Sequence, residues 1–533
     1  MALIVVMVVV LLVSLATYGI LYSMRDVYEM SKRSQEHEQA RLAALSGSEF
    51  ALGLLELPPM QRQSLGSLEN NPGLFHARTL LRNGDREADD SDWRFSLIGP
   101  AATTGMEADQ AWQYGLENET AKIHIPTLLL WDRLQPGSAK TTLLNLAGAN
   151  ESSVDAFIAD IGRNASTGND AADDWHAPWY GDDWNHNFRS DPIEQWFSSS
   201  AASSSRGRSS GATSGTRGSA STGRRGRNAM GNRPASWQRY LTWDQGCRNE
   251  TWDGKPRVYL NATDLSGLYQ NLSSVWPREW AAFLIAYRQY GPAPLNAPKT
   301  SSSPASSTQA APVPTVATPK TGAAPAATTP APPTTGSLST WVPDLSVPAK
   351  ITLKNVIELI GIAVEVPSGD GKRMRLTSPF SDDSSRYRDY LGRLIDEATV
   401  VPSPYLTGCI DILAAPREVL LAVPGLDASI ADRIVGARGN TPSGSEDRRT
   451  PAWLLYEGHV DRPTLQKLLP WLTCRSDVYR IQCVGFRDAR SPIFRCTMLL
   501  DARQRPATMQ RFQHWHEWDP GMHLVIADGP RTP

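Results

Sequence analysis

A chain of 533 residues is long enough for several domains, and its formal net charge of −2 excludes a general electrostatic bias toward nucleic acid or anionic lipid. Its five cysteines, few and odd in number, imply no disulfide framework, and none of their spacings is the CxxC of a zinc site. Cys247, Cys409, Cys474, Cys483 and Cys496 therefore read as buried free thiols, with Cys474 to Cys483 and Cys483 to Cys496 the pairings that an oxidising compartment would allow.

Residues 1–22, MALIVVMVVVLLVSLATYGILY, carry no charged side chain. About 20 apolar residues in a helix cross the hydrocarbon of a bilayer. Ala2, Leu3, Ile4, Val5, Leu11, Leu12, Leu15 and Ile20 lie in this run. At roughly −0.3 to −0.6 kcal/mol for each central Leu, Ile or Val, insertion outweighs the cost of Ser14 and Thr17. A cleaved signal peptide would need a basic start, a shorter apolar core and a small-residue cleavage site, and the run fits none of these well. The charged residues that follow continue a helix: Glu29 with Arg33 and Glu38 with Arg41 stand at ion-pair spacings, and Leu42, Leu45, Leu52 and Leu55 share one broad face. Pro58 and Pro59 end it. Residues 1–22 are thus expected to be a transmembrane helix and 23–57 its extension, one rod of about 55 residues and roughly 80 Å at 1.5 Å per residue.

A charge-free N-terminal span running unbroken into an amphipathic helix, with EQARLAAL in its polar half, resembles the type IV pilin-like proteins. It is most similar to the minor pseudopilin K family of type II secretion systems. Pilin-like proteins usually carry Glu at the fifth mature residue and the K member does not; counted from Met1 as the mature N-terminus, that place is held by Val5. The family's short basic leader ending in Gly is not in the sequence, and the expectation is that the start codon has been placed late and the upstream bases encode it. Arg25, Lys32 and Arg33 would by the positive-inside rule favour a cytoplasmic body. The resemblance implies a periplasmic body on a single inner-membrane span, and that expectation is followed.

The first folded block is expected over 58–197. Trp93, Phe95, Leu97 and Ile98 alternate enough for a strand, and Ile123 and Ile125 alternate with Lys122 and His124 as a half-buried strand that Pro126 interrupts. Glu119, Thr120, Ala121, Lys122 and Ile123 match a run of the K family, whereas His124 and Pro126 depart from its alternating Leu and Asn. LAGANESSVDAFI predicts a helix, a turn at Gly148 and a second helix opening near Glu151, a helix-hairpin-helix shape. In the Trp-rich tract beyond, Asp173, Asp174, Asp182 and Asp183 are candidate Ca²⁺ ligands, because Ca²⁺ takes hard oxygen donors. They lack DxDxDG spacing, so a solvated acidic loop is the preferred reading and no cofactor is assigned.

Residues 198–236 are Ser, Gly, Ala and Arg, and 294–340 are Pro, Ala, Thr and Ser; neither has the apolar content to offset ordering entropy. The first reads as a disordered basic insertion with Arg206, Arg208, Arg217, Arg224, Arg225 and Arg227, and the second as an extended linker. Between them, over 237–293, the first block resumes. WQRYLTW and GKPRVYLN read as strands, Asp264 caps a helix through Leu265 and Leu268, and PREWAAFLIAYRQY is a helix opened by Pro277 and closed by Gly291.

The second block, 341–533, opens with KNVIELIGIAVEV, a helix and an extended stretch, and continues with a helix through Tyr390, Leu391, Leu394 and Ile395. GCIDILAAPREVLLAVPGLDASIADRIVGAR then gives a second helix-hairpin-helix, turned at Pro424, Gly425 and Leu426. Ala415, Pro416, Arg417, Leu420, Leu421, Pro424, Gly425, Ala431 and Ile434 match the corresponding run of the K family, while Asp411 and Leu413 stand where that family usually has Asn. Such turns elsewhere hold DNA phosphate on amides at a helix start. Here Glu418, Asp427 and Asp432 balance Arg417, Arg433 and Arg438, which disfavours nucleic acid. VYRIQCVGF and IFRCTMLLD alternate as a hairpin joined by RDARSP, and FQHWHEW can add a third strand. His514 and His516 share a strand face with no third ligand specified, so no metal is assigned.

The expected fold is α+β, with pseudopilin-like modules, a helix-hairpin-helix (SAM-like) insertion and C-terminal antiparallel strands. No nucleophile triad, phosphate loop or metal signature is present in the sequence, so a non-enzymatic role is expected. The resemblance implies pseudopilins of the I and J types and the inner-membrane secretion platform as partners, with lipid around the span. The competing reading is a membrane-anchored DNA-uptake protein that uses its hairpin turns.

Overall fold

The structure is a computed structural model and describes residues 2–80, 92–100, 112–146, 148–167, 237–293, 334–368, 372–439, 446–488 and 491–515. It divides into two units: Met1–Pro256 with Ser403–Pro533, and Arg257–Pro402.

In the first unit a single helix, α1, runs over Ala2–Glu56 and stops at the two prolines as expected. Its ion pairs join Arg25 to Glu29 at 3.2 Å and Arg41 to Glu38 at 3.3 Å, so Glu29 reaches back one turn and not forward to Arg33. Residues 3–35 are exposed all round, and burial begins at Ala40. The buried face overlaps the expected leucine face only in part, Leu55 being its one fully buried member. Leu42 is 54 % exposed and Leu45 and Leu52 lie on the flanks, whereas Ala40, Ala43, Ala44, Gly47, Ser48, Ala51, Leu54 and Leu55 form the covered stripe.

That stripe lies on an antiparallel sheet of β1 (Arg94–Pro100), β2 (Val478–Phe486), β3 (Phe494–Asp501) and β4 (Thr508–Trp515), which neighbour one another in that order. Arg78–Thr79 and Trp112–Tyr114 also pair with β1, and Glu117–Asn118 pairs with β2. The β2/β3 hairpin is local, with Cys483 opposite Cys496 and Gly485 opposite Phe494. The β1/β2 pair joins segments almost 400 residues apart in the chain, with Leu97 opposite Cys483 and Phe95 opposite Gly485. Because successive side chains in a strand point to opposite faces, Phe95 and Leu97, Ile481, Cys483 and Gly485, and Phe494, Cys496 and Met498 share the face that α1 covers.

Two short helices, Pro59–Ser64 and Pro72–Phe75, follow α1, and the remaining elements of the first unit lie in the chain between Asn118 and Val478. The helices α2 (Ile125–Leu134), α3 (Ser138–Leu144) and α4 (Glu151–Thr167) follow Ile123–His124, where only two residues of the expected strand pair. Pro126 lies in the first turn of α2, where a missing N–H costs no helical bond, so it begins the helix as much as it ends the strand. Trp237–Tyr240, expected as strand, is a 3-10 turn that leads into Leu241–Thr242. The second hairpin is α5 (Arg417–Leu420) and α6 (Ala428–Gly439).

In the second unit, Asp264 accepts from the Ser266 N–H at 3.0 Å to cap the helix Leu265–Val275, and Arg278–Tyr290 follows. The stretch expected as helix before Ala363–Pro367 is a 3-10 turn, Val356–Leu359, and Tyr387–Glu397 forms as expected. Of GKPRVYLN only Val258–Tyr259 is strand, paired in parallel with Ala398–Thr399. Thr334–Gly336, inside the segment expected to be linker, pairs in parallel with Arg373–Thr377, itself antiparallel to Ala363–Pro367.

Candidate functional site

The exposed half of α1 is the largest chemical feature of the described residues. Leu3, Ile4, Val5, Leu11, Leu12, Leu15 and Ile20 are all 56 % exposed or more, on every side of the helix. An apolar helix surface of this extent is not left in water. The helix is long and apolar enough to cross a membrane. Tyr18, Tyr22 and Tyr28, at the end of the run, are the residue type that settles at the membrane–water boundary.

The other half of α1 is fixed by a close backbone seat. A Cβ on Gly485 would stand 2.7 Å from the Ala44 amide nitrogen and closer still to the Ala40 carbonyl oxygen, and one on Gly47 would stand 2.9 Å from the Phe95 ring. The helix therefore rests directly on the β2 backbone. The Arg248 guanidinium donates to the Leu55 carbonyl at 2.5 Å, closing the C-terminal end of α1, where cations are favoured. A glycine within a strand marks close backbone approach, and Ala, Gly and Ser recur every three or four residues through QARLAALSGSEFA. Together these were the signal available in the sequence.

Three buried polar clusters tie the segments flanking the seat. Arg62 donates to Asp477 at 2.5 Å, and Asp477 also accepts from the Arg248 N–H at 2.7 Å. Glu119 is fully buried and accepts from Lys122 and Arg480, each at 2.8 Å, and from the Thr242 hydroxyl at 2.5 Å. Burial alone would raise its pKa, and the two cations outweigh that and hold it below the ordinary carboxylate range. Lys122, expected on the polar side of a strand, is buried between Glu117 and Glu119. Held by three internal donors, Glu119 ties these segments together.

In the third cluster the Asn118 amide donates to Asp411 at 2.9 Å and also meets Glu69. Burial, then the Asp411 charge, push Glu69 up to about 7; burial pushes Asp411 up to about 6. His124 joins Thr127 at 2.8 Å and the Trp243 carbonyl at 3.1 Å, and burial lowers it to about 4, so it is neutral at pH 7. Asp411 accepts from the Leu413 N–H at 3.0 Å, a turn-closing bond of the kind an Asn would make.

The hairpin turn expected at Pro424, Gly425 and Leu426 is present, with Gly425 at φ +85° and Leu426 buried. Asp427 accepts from the Ile430 N–H at 2.8 Å, so a carboxylate of the chain already occupies the α6 amides that would take a phosphate. Arg417 is paired to Asp432 at 2.5 Å. At the first hairpin Gly148 has φ +86°, Asn150 accepts from the Ser153 N–H at 2.9 Å, and Lys140 is held by Glu151 and Asp155, both at 2.9 Å.

Met1, the Ca²⁺ candidates Asp173, Asp174, Asp182 and Asp183, the Arg-rich insertion, residues 294–333 and His516 lie outside the described residues. Among the described residues no group of three or more His, Cys, Asp or Glu side chains converges as metal ligands would. Comparison with protein-family models, curated proteins and solved structures finds no match to this chain.

Proposed function

We propose that this chain is a membrane-anchored structural subunit of a type II secretion apparatus, a pseudopilin K-like protein that caps the pseudopilus and assists its assembly. The observation that carries the reading is the division of α1: an apolar half exposed on every side, and a half seated along an antiparallel sheet. Two demands meet in one helix. Before assembly the first half must lie in lipid, and afterwards it must pack among like helices, whereas the second half must never leave its own sheet. In this reading the body is periplasmic and the span single-pass in the inner membrane. Val5, in place of an acidic residue, suits a subunit with no neighbour ahead whose N-terminal amine needs a counter-charge. The partners are the small I-type and J-type pseudopilins and the inner-membrane platform, and no catalytic step is assigned.

The test is crosslinking in intact cells followed by purification of the full chain. Recovery of the I-type and J-type pseudopilins, lost when residues 2–22 are exchanged for an unrelated membrane span, supports the reading. Recovery of no pseudopilin overturns it. A salt-dependent shift of DNA by the full chain would favour the DNA-uptake reading, which the capped α6 terminus opposes.

A further inference from the structure

Cys483 on β2 and Cys496 on β3 stand directly opposite in the antiparallel register, and neither exposes any surface. Both lie on the face under α1. The Cys496 thiol donates to the Cys483 carbonyl at 3.9 Å, and the two thiols also meet each other. The other cysteines are engaged elsewhere: Cys247 with the Thr473 hydroxyl at 3.7 Å, Cys409 with the Pro470 carbonyl at 3.4 Å, and Cys474 with Trp453. Directly opposed side chains hold their Cβ atoms about 4.5–5.5 Å apart, and a disulfide needs about 3.5–4.5 Å, so closure takes a shift of only about 1 Å.

The geometry points to a disulfide between Cys483 and Cys496 in the mature protein, made by exchange with a donor disulfide while the hairpin is still uncovered by α1. One cysteine thiolate attacks a sulfur of the donor, which is oxidised glutathione or an oxidoreductase in its disulfide form. A mixed disulfide forms and one donor thiolate leaves. The second cysteine gives its proton to water and displaces the other donor sulfur. The chain's two thiols are thereby oxidised to one S–S bond, and the donor departs as two thiols. The order of events follows from burial: once α1 is seated, burial pushes the Cys483 thiol up and no donor reaches it. The bond fixes the hairpin register, and register matters here because a one-residue slip would turn Gly485 away from Ala40 and point a side chain at the helix.

The inference rests on the periplasmic reading in one respect, since cytosolic thiol pools keep such pairs reduced. Its test therefore has two arms. In the first, the full chain made in a reducing cytosol is unfolded in detergent, refolded across a series of glutathione buffers, alkylated under denaturing conditions and weighed. At the oxidising end three of the five cysteines are alkylated, and proteolysis yields a linked peptide pair containing Cys483 and Cys496. Cys483→Ser and Cys496→Ser each leave all their remaining thiols alkylated, and far-UV circular dichroism shows that they fold. Five alkylated thiols in every buffer, or a link through Cys247, Cys409 or Cys474, overturns the inference and leaves the proposed function untouched. In the second arm the chain is alkylated in its own host. Finding the bond there supports the inference; five free thiols in the host after closure in the first arm overturn it by way of the compartment.

Discussion

Gly485→Ala tests the seat of α1 with one methyl group. Gly485 is not among the residues held at positive φ, so alanine can adopt its backbone and the effect is purely steric. The new Cβ would meet the Ala44 nitrogen at 2.7 Å and the Ala40 carbonyl oxygen closer still, and both are backbone atoms of a helix that cannot turn aside. Ordinary contact begins near 3.5 Å, so α1 must lift by at least about 0.8 Å, and a gap of that size forfeits a quarter to a half of each dispersion contact along the seam. Overpacking of this kind costs about 1–3 kcal/mol, and the upper end applies where nothing flexible can yield. The chain has more than one unit, so global unfolding is a poor readout. Hydrogen exchange of peptides covering residues 40–55, in the detergent-solubilised full chain, reads the seam directly. A loss of about 3 kcal/mol accelerates exchange roughly 100-fold. Gly436→Ala is the control: this exposed α6 position has nothing within 4 Å of its Cβ, and alanine there stabilises the helix by about 0.5–1 kcal/mol. Exchange over residues 40–55 within threefold of the parent in Gly485→Ala refutes the close-seat argument.

Arg62→Ala removes the nearer of two guanidiniums at buried Asp477, that of Arg248 remaining at 3.6 Å, so the loss is that of a charged hydrogen bond, about 1.5–3 kcal/mol; a urea midpoint for the first unit equal to that of the parent would count against it. Glu69 binds its proton more tightly when folded, so its contribution to stability is complete below its ordinary value of 4.5 and is lost as the pH rises through about 7. Stability should therefore fall by about 1–3 kcal/mol between pH 5 and 7.5, and Glu69→Gln should flatten that slope; an unchanged slope in urea titrations sinks the assignment. Asp427→Ala uncaps α6 and costs about 1 kcal/mol, visible as faster exchange of the Ile430 amide, whereas equal exchange would show that the cap bond carries nothing.

What the sequence disclosed was what local physics decides. The apolar run, the proline stop after Glu56, the β2/β3 hairpin, the Asp264 cap and the two glycine turns each depend on residues a few positions apart, and all were legible. What it hid depends on partners far along the chain. Lys122 reads as solvent-facing by alternation, because nothing near it discloses that Arg480 will share Glu119 with it. The leucine spacing of α1 does not disclose which side is covered, for a related reason. A hydrophobic stripe predicts burial only when the partner surface has room for side chains, and a sheet carrying Gly485 offers its backbone, so alanines outcompete leucines for the seat.

The β1/β2 pairing also explains how one helix and one sheet can carry so long a body. Asn118 is opposite Tyr479 in the ladder, so the chain leaves the sheet and returns at neighbouring residues. A second departure follows the same rule, for Cys247–Arg248 pairs antiparallel with Tyr405–Leu406 around the point where the second unit is let into the chain. An insertion whose ends meet imposes no strain on its host, whatever its length, because only the closure entropy grows, and that grows with the logarithm of length. The ion pairs lie at these junctions: Asp477 takes Arg62 and the Arg248 amide just before β2, and Glu119 takes Arg480 just after Asn118. Charge is therefore buried where the host must hold its two ends together, and the seat of α1 is left apolar and close-packed. Close-packed apolar contacts of this kind respond little to salt or pH, which sets the seat apart from the charged junctions.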